Sequence, residues 1–393
     1  MFVPGRIEFL GKHTDYCGGR SIVCAIDRGF RLTVTPTTDN LLELFDEDTK
    51  QRAVIELSHR PRVDGPKWTL YPRTVVERIA ANFPSRKLQG LKVAFRSTLP
   101  AASGLSSSSA FVTSVFLAIA RRNHLEETPE YLENIGNEYD LAGFLGCVEN
   151  GQSFKGLVGK KGVGTFGGSQ DHTAILCGKA GYLSRFSYCP VRRDGDMPVP
   201  DKYTFVIASS GVKAQKTGDA QEKYNRVSLM VSAIVDAWPG DEKTLAEIIE
   251  SNGIDAVERL IDDSRLCFPK NQLIDRVRQF FSENYALMEQ VSGFMSAGHF
   301  DRIGGLIDVS QRNAERCLDN QTVETVYLQR SARESGAVAS SAFGAGFGGS
   351  VYALVETTGA DTFREAWRRG FLAKFPQHTY SSVFFTTRPA QLE

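Results

Sequence analysis

Residues 100–111 read PAASGLSSSSAF. A proline, a Gly-Leu pair and four consecutive serines run directly into a stretch in which Phe111, Val112, Val115, Phe116 and Ile119 recur at helical intervals, which predicts a helix over 106–122. Serine is a common helix cap, but one cap needs only one serine. Small residues at this density ahead of a helix describe a loop that holds phosphate. Backbone N–H groups and aligned peptide dipoles both favour an anion there. The lysine of the P-loop pattern G-x-x-x-x-G-K-[ST] is missing, so this is another kind of nucleotide cradle.

Upstream of the loop, short β-type runs at 22–26, 30–35, 41–45, 53–57 and 91–95 alternate with turns, and 68–81 has helical spacing. Downstream, a second helix is expected over 129–148. The Gly- and Lys-rich stretch 155–168 reads as a mobile loop. Strands are expected at 174–176 and 181–188. Prolines, a glycine and charges gather at 190–202 (PVRRDGDMPVPDK), which marks a domain boundary and divides the chain into 1–195 and 196–393. A strand at 203–209 follows, then helical stretches at 220–238, 243–263, 271–297 and 301–320, a glycine run and a last strand near 381–387. Mixed elements in both halves, without regular βα alternation, indicate α+β domains.

Composition narrows the function classes. At 393 residues two domains are the better expectation. Lys plus Arg and Asp plus Glu balance at 46 each, with no basic run, so neither nucleic acid nor an anionic membrane is the expected partner. No stretch approaches about 20 uninterrupted apolar residues, so no membrane span is expected. Pro4, Gly5, Arg6 and Glu8 stand where a signal peptide needs its apolar core. Seven cysteines with no C-x-x-C pair read as reduced, buried thiols of a cytoplasmic protein. The six histidines do not cluster, which argues against a zinc site.

Two more segments carry chemistry. PGRIEFLGKHTDYCGG at 4–19 packs Arg6, Glu8, Lys12, His13, Asp15 and Tyr16 into eleven positions, more functional groups than a strand and turn need. GAGFGGS at 344–350 is a glycine run ahead of a strand. In this order and over this span, the three segments resemble the signature set of the GHMP small-molecule kinases. Within that superfamily, GRIEFLGKHTDY resembles the galactokinase pattern G-R-x-N-L-I-G-E-H-T-D-Y. The serine loop is similar to P-x-x-x-G-L-S-S-S-A. ENGQSF at 149–154 with GGSQDHTAIL at 167–176 resembles E-[HN]-x-F…G-I-M-D-Q, and KWTLY at 67–71 resembles the W-x-x-Y segment beside the adenine pocket.

The resemblance implies a two-domain α+β GHMP kinase fold with its active site in the cleft between domains. It implies ATP-dependent phosphorylation of a monosaccharide at its anomeric C1 hydroxyl. Asp171 takes the place of the catalytic aspartate that accepts the hydroxyl proton, with Arg6 as its electrostatic partner. Backbone N–H groups of Gly104, Leu105, Ser106, Ser107 and Ser108 would face the phosphates, with Ser109 completing the loop. Ser107 or Ser108 together with Glu149 would hold Mg²⁺, although two extra residues separate Glu149 from Phe154. His172 is expected to support this set and not to act as the base. Trp68 and Tyr71 would wall the adenine. Glu8, Lys12, His13, Asp15, Gly168 and Tyr224 would face the sugar. Gly344, Gly346, Gly348 and Gly349 would let backbone approach the cleft.

The chain departs from the pattern where the sugar is read. The family's asparagine is Glu8, and its glutamate, which binds a hydroxyl at the far end of galactose, is Lys12. A cation there could donate to a hydroxyl or meet the carboxylate of a sugar acid, or Lys12 and Glu8 could pair with each other and leave the sugar untouched. A related kinase for arabinose, fucose or a uronic acid is therefore the alternative within enzymes. A sensor that binds sugar and ATP without turnover is the alternative outside them. The pair His13 and Asp15 favours a polyhydroxylated acceptor over an apolar one such as mevalonate. Arg6 also stands nearer the start of the chain than in galactokinases, so the first strand is expected to be an unprotected edge. A monomer is expected.

Overall fold

In the computed structural model, which describes residues 1–100, 103–212 and 219–393, the apolar runs at 22–26 and 30–35 belong to one strand. β1 (Phe2–Leu10) and β2 (Arg20–Pro36) pair antiparallel, with Arg6 opposite Ala25 and Glu8 opposite Val23. All nine residues of β1 are buried. β3 (Leu41–Asp46), β4 (Arg52–Glu56) and β5 (Val63–Asp64) extend the sheet on one side. After helix α1 (Leu70–Asn82), β6 (Leu91–Ser97) inserts between β3 and β2, parallel to β3 and antiparallel to β2.

Four helices follow: α2 (Ser107–Asn123), α3 (Pro129–Asn134), α4 (Glu138–Asn150) and α5 (Gln170–Cys177). The helix expected over 129–148 is two, because Asn137 caps the second: its Oδ1 accepts from Tyr139 N at 2.9 Å and Asp140 N at 3.0 Å. The strand expected at 174–176 is the last half of α5. Its three apolar residues were too short a run to tell strand from helix, and Thr173 N donating to Ser169 O starts a helix that packs on α4. β7 (Tyr182–Ser187) and β8 (Arg192–Pro198) complete a sheet in the order β5-β4-β3-β6-β2-β7-β8, with β1 also on β2.

The chain crosses to its second sheet between Pro198 and Tyr203, inside the stretch read as a linker; a division at 195/196 falls within β8. β9 (Tyr203–Ser209) precedes a helical run: α6 (Asp219–Ala237), α7 (Leu245–Asn252), α8 (Ile254–Asp263), α9 (Lys270–Phe281), α10 (Met288–Ser296), α11 (Gly304–Asn313) and α12 (Val323–Glu334). Gly253, at φ +80°, breaks the helix expected over 243–263. A π-helical turn, Ser282–Leu287, joins α9 to α10. β10 (Ala339–Phe343), β11 (Ser350–Glu356), α13 (Ala360–Lys374) and β12 (Val383–Thr387) finish the second unit, with strand order β10-β11-β9-β12. β13 (Pro389–Ala390) returns to β2.

The two sheets share one interior. Phe9 of β1 stacks on Tyr352 of β11 at 5.1 Å between centroids, and Tyr352 Oη donates to Phe9 O at 2.8 Å. β1 is therefore clamped between the units and is no open edge. Arg6 N donates to Leu105 O, and Phe2 exchanges backbone hydrogen bonds with Glu393. Of the cysteines, Cys17, Cys24 and Cys177 are buried as expected, whereas Cys189 and Cys267 are exposed. Among the described residues no helix is long and apolar enough to cross a membrane.

Candidate active site

Side chains two apart on a strand share a face. Arg6 and Glu8 on β1 therefore both line a cavity of about 550 Å³. His13 and Asp15 join them from the turn that follows, and Ser106, Ser107, Ser108 and Ser109 from the serine loop and the start of α2. Trp68, Tyr71, Gly104, Glu149, Gly168, Asp171, Tyr224 and Gly344 line the same space. Most residues singled out in the sequence thus converge, across separations of more than 300 positions. Residues 101–102 of the loop and 213–218 ahead of Tyr224 lie outside the described residues.

Five candidates do not line the cavity. Leu105 is a fully buried core residue that meets Arg6 only through its carbonyl. Gly346, Gly348 and Gly349 pack behind the wall, on Asn320 and Val212. Lys12 is the substantive correction. Its side chain is 2% exposed and its Nζ donates to Ser310 Oγ and Ser341 Oγ, each at 2.8 Å. Glu283 Oε1 holds the backbone N–H groups of Gly11 and Lys12. The register shifts between Glu8 and Leu10, so alternation along β1 no longer tells which way residue 12 faces.

Asp171 sits in the first turn of α5, where the helix end favours a negative charge. Arg6 grips its Oδ1 through Nη2 at 2.7 Å and Nε at 2.8 Å, while Nη1 donates to Gly104 O at 2.6 Å. One guanidinium therefore links the aspartate to the serine loop. Ser109 Oγ donates to Glu149 Oε2 at 2.8 Å and reaches Asp171 Oδ2 at 3.3 Å. Behind it, His172 holds Glu149 Oε2 through Nε2 at 3.0 Å and Thr113 Oγ1 through Nδ1 at 3.1 Å.

The serine loop does not cap its helix. Ser106 adopts a left-handed conformation (φ 59°), and its side chain makes no capping hydrogen bond to the first turn of α2. Its buried hydroxyl has no hydrogen-bond partner among the described residues either. A helix start with orphaned donors, opening into a cavity, fits an anion. The third motif holds this loop in place. Gly344 has φ +81°, and a Cβ there would stand 2.9 Å from Gly104 O. Gly344→Ala should therefore displace the loop and raise the KM for nucleotide about 10-fold, with the acceptor KM far less changed. Steady-state kinetics in both substrates checks this.

At one end of the cavity, Trp68 meets Phe95 and Phe111 edge-on at 5.6 and 5.7 Å. Tyr71 is pushed up to about 12 by burial and by the charge of Glu149. At the other end, Asp15 Oδ2 accepts from Gln170 N at 3.0 Å, and a Cβ on Gly168 would come within 2.5 Å of that oxygen. Burial raises the Asp15 carboxyl above its ordinary range. His13 Nδ1 bonds Tyr16 Oη at 3.0 Å, and its ring leans on Tyr224 at 5.8 Å. Burial pushes Glu8 up to about 8, against the pull of Arg6 and Lys12.

Three family models match this chain: a galactokinase galactose-binding signature over residues 1–36, the GHMP kinase N-terminal domain over 71–144 and the GHMP kinase C-terminal domain over 286–373. The chain is a galactokinase-like member of the GHMP kinases. A galactokinase from Chloroflexus aggregans is 25% identical over 376 residues, 94% of this chain and 86% of the relative. One from Roseiflexus is 26% identical over 371 residues, covering 92% and 84%. In fold, the crystal structure of Lactococcus lactis galactokinase complexed with galactose superposes with a TM-score of 0.78 at 22% identity, covering 99% of this chain and 93% of that one. The α+β architecture in two units is thus the GHMP kinase fold.

This kinase also relies on residues that the motifs did not reveal. Arg276 on α9 is fully buried. Its Nη2 donates to His13 O at 2.5 Å, Cys17 Sγ at 3.0 Å and Tyr16 Oη at 3.3 Å, and its Nη1 to Gln279 Oε1 at 2.6 Å. Gln279 in turn donates to Lys12 O at 3.1 Å. The carboxy-terminal unit thus holds the backbone of the 12–17 turn. The available signal was a charge inside the apolar stripe Leu273, Val277, Phe280. Arg276→Met is expected to lower stability by roughly 2–4 kcal/mol and to raise the acceptor KM more than it lowers kcat. Urea unfolding and kinetics together test this.

Proposed function

We propose that this GHMP kinase transfers the γ-phosphoryl group of ATP to the anomeric C1 hydroxyl of a monosaccharide. The observation that carries the reading is the Arg6–Asp171 pair, tied to the serine loop through Gly104 and open to the same cavity as His13 and Asp15. Phosphoryl transfer asks a protein mainly to position and neutralise charge. Asp171 accepts the proton of the attacking hydroxyl. Arg6 keeps its carboxylate oriented and offsets charge building on the transferred group. The first turn of α2 and the Ser106 hydroxyl bind the phosphates. Trp68 and Tyr71 flank the base, an arrangement suited to a flat aromatic ring.

A divalent cation fits the oxygen set at the loop. Ser109 Oγ and Glu149 Oε2 are hydrogen-bonded neighbours, and His172 orients the carboxylate from behind. Mg²⁺ takes few protein oxygens and keeps waters. In this reading Glu149 and a serine hydroxyl hold it, and Ser109 is better placed than the expected Ser107 or Ser108, which line the cavity without a bond to Glu149. When bound, the ion screens the phosphate oxygens. His13, Asp15, Gly168 and Tyr224 hold the sugar.

The test is ADP release by the wild-type protein with a panel of hexoses, pentoses and uronic acids, with the product examined by phosphorus NMR. A sugar 1-phosphate is the expected product. Well-folded protein that binds sugar and ATP but releases no sugar-dependent ADP would favour a sensor.

A further inference from the structure

We propose that Glu8 selects the acceptor: it takes a hydroxyl of a neutral monosaccharide and turns away a sugar that carries a carboxylate. This rests on the sugar-kinase reading above. Glu8 is 3% exposed and lines the cavity beside Arg6. Its Oε1 is buried and has no hydrogen-bond partner among the described residues. Buried polar atoms are nearly always bonded, and leaving one orphaned is unfavourable. A carboxyl held this way at a cavity wall is satisfied when a bound molecule supplies the partner.

The surrounding charges define what that molecule is. Lys12 is spent on Ser310 and Ser341 and does not reach the cavity. Glu8, Asp15 and Asp171 present three carboxyl groups to the acceptor end. Arg6, the one arginine or lysine among the described lining residues, is already committed to Asp171 and Gly104. A substrate carboxylate placed here adds a negative charge beside Asp15 and Asp171 and, among the described residues, meets no available cation. A hydroxyl meets an acceptor. The sugar acid that Lys12 suggested in the sequence is thereby set aside, and the carboxyl that reads the sugar comes from position 8.

The experiment compares wild type, Glu8→Gln and Glu8→Ala on D-galactose, L-arabinose, L-fucose and D-galacturonate, then on the monodeoxy derivatives of the best neutral sugar. Calorimetric sugar binding without nucleotide supplies a second readout. Wild type should prefer a neutral sugar to galacturonate by about 100-fold or more in kcat/KM. One deoxy derivative should lose about 10–100-fold in wild type and little further in Glu8→Ala, because the shared hydrogen bond is already gone. Glu8→Gln, which keeps the shape and an acceptor oxygen, should retain part of the discrimination. Galacturonate used as well as the neutral sugars, or the same deoxy penalties in wild type and Glu8→Ala, overturns the assignment of Glu8 alone. No binding and no turnover of any sugar by wild type overturns the sugar-kinase reading with it.

Discussion

Asp171→Asn lowers kcat by roughly 10²–10⁴-fold, the range over which a positioned general base contributes. Asparagine keeps the volume and an oxygen for Arg6, whose Nη2 and Nε now reach Oδ1 at 2.7 and 2.8 Å, but it cannot take a proton. The acceptor and nucleotide KM values should therefore move little. Stability should fall modestly, by about 1–3 kcal/mol, because Arg6 is left without its counter-charge at a site where the aspartate side chain is 19% exposed. Single-turnover phosphoryl transfer, read beside sugar binding, separates the two effects. An Asn variant that keeps a tenth or more of the wild-type rate would place the base elsewhere. His172 would be the neighbouring alternative, yet both its ring nitrogens are engaged, by Glu149 and Thr113.

The residues that line the cavity could be singled out because their signals are local. Four serines before an apolar-periodic helix, and Arg6 two residues from Glu8 on a strand, have their meaning within a few positions. What could not be read depends on distant packing. Lys12 is turned away from the cavity by two serines about 300 residues further on. Arg276 supports the turn at 12–17 across a sequence separation of about 260 residues. The run at 174–176 became helix because α4 offered a surface to pack on, a tertiary preference that a three-residue apolar run cannot announce. Helices α12 and α13 were not anticipated either: each buries few apolar side chains, Leu328 and Ala332 in one, Ala360, Trp367 and Phe371 in the other, among many charges.

Glu8→Gln should make the protein's stability less dependent on pH, in a direction the burial of Glu8 fixes. In the folded chain its carboxyl is raised from 4.5 to about 8, chiefly by burial, with Asp171 and Glu283 adding to the shift and Arg6 and Lys12 opposing it. Between those two values the folded protein holds a proton that the unfolded chain has released. Stability therefore falls as pH rises from about 4.5 to about 8, and levels off above, with a full loss of up to roughly 5 kcal/mol. Glutamine has no proton to lose. Wild type and variant should be of similar stability near pH 4.5, and the variant should gain steadily to pH 8, as read by urea unfolding at several pH values. Parallel curves for the two proteins would show that Glu8 ionises freely in the folded state. Saturating neutral sugar should flatten the wild-type slope and leave that of the variant unchanged, since a hydroxyl donated to Glu8 favours its charged form. The same carboxyl would then account for both the sugar read and the pH at which the empty pocket becomes strained.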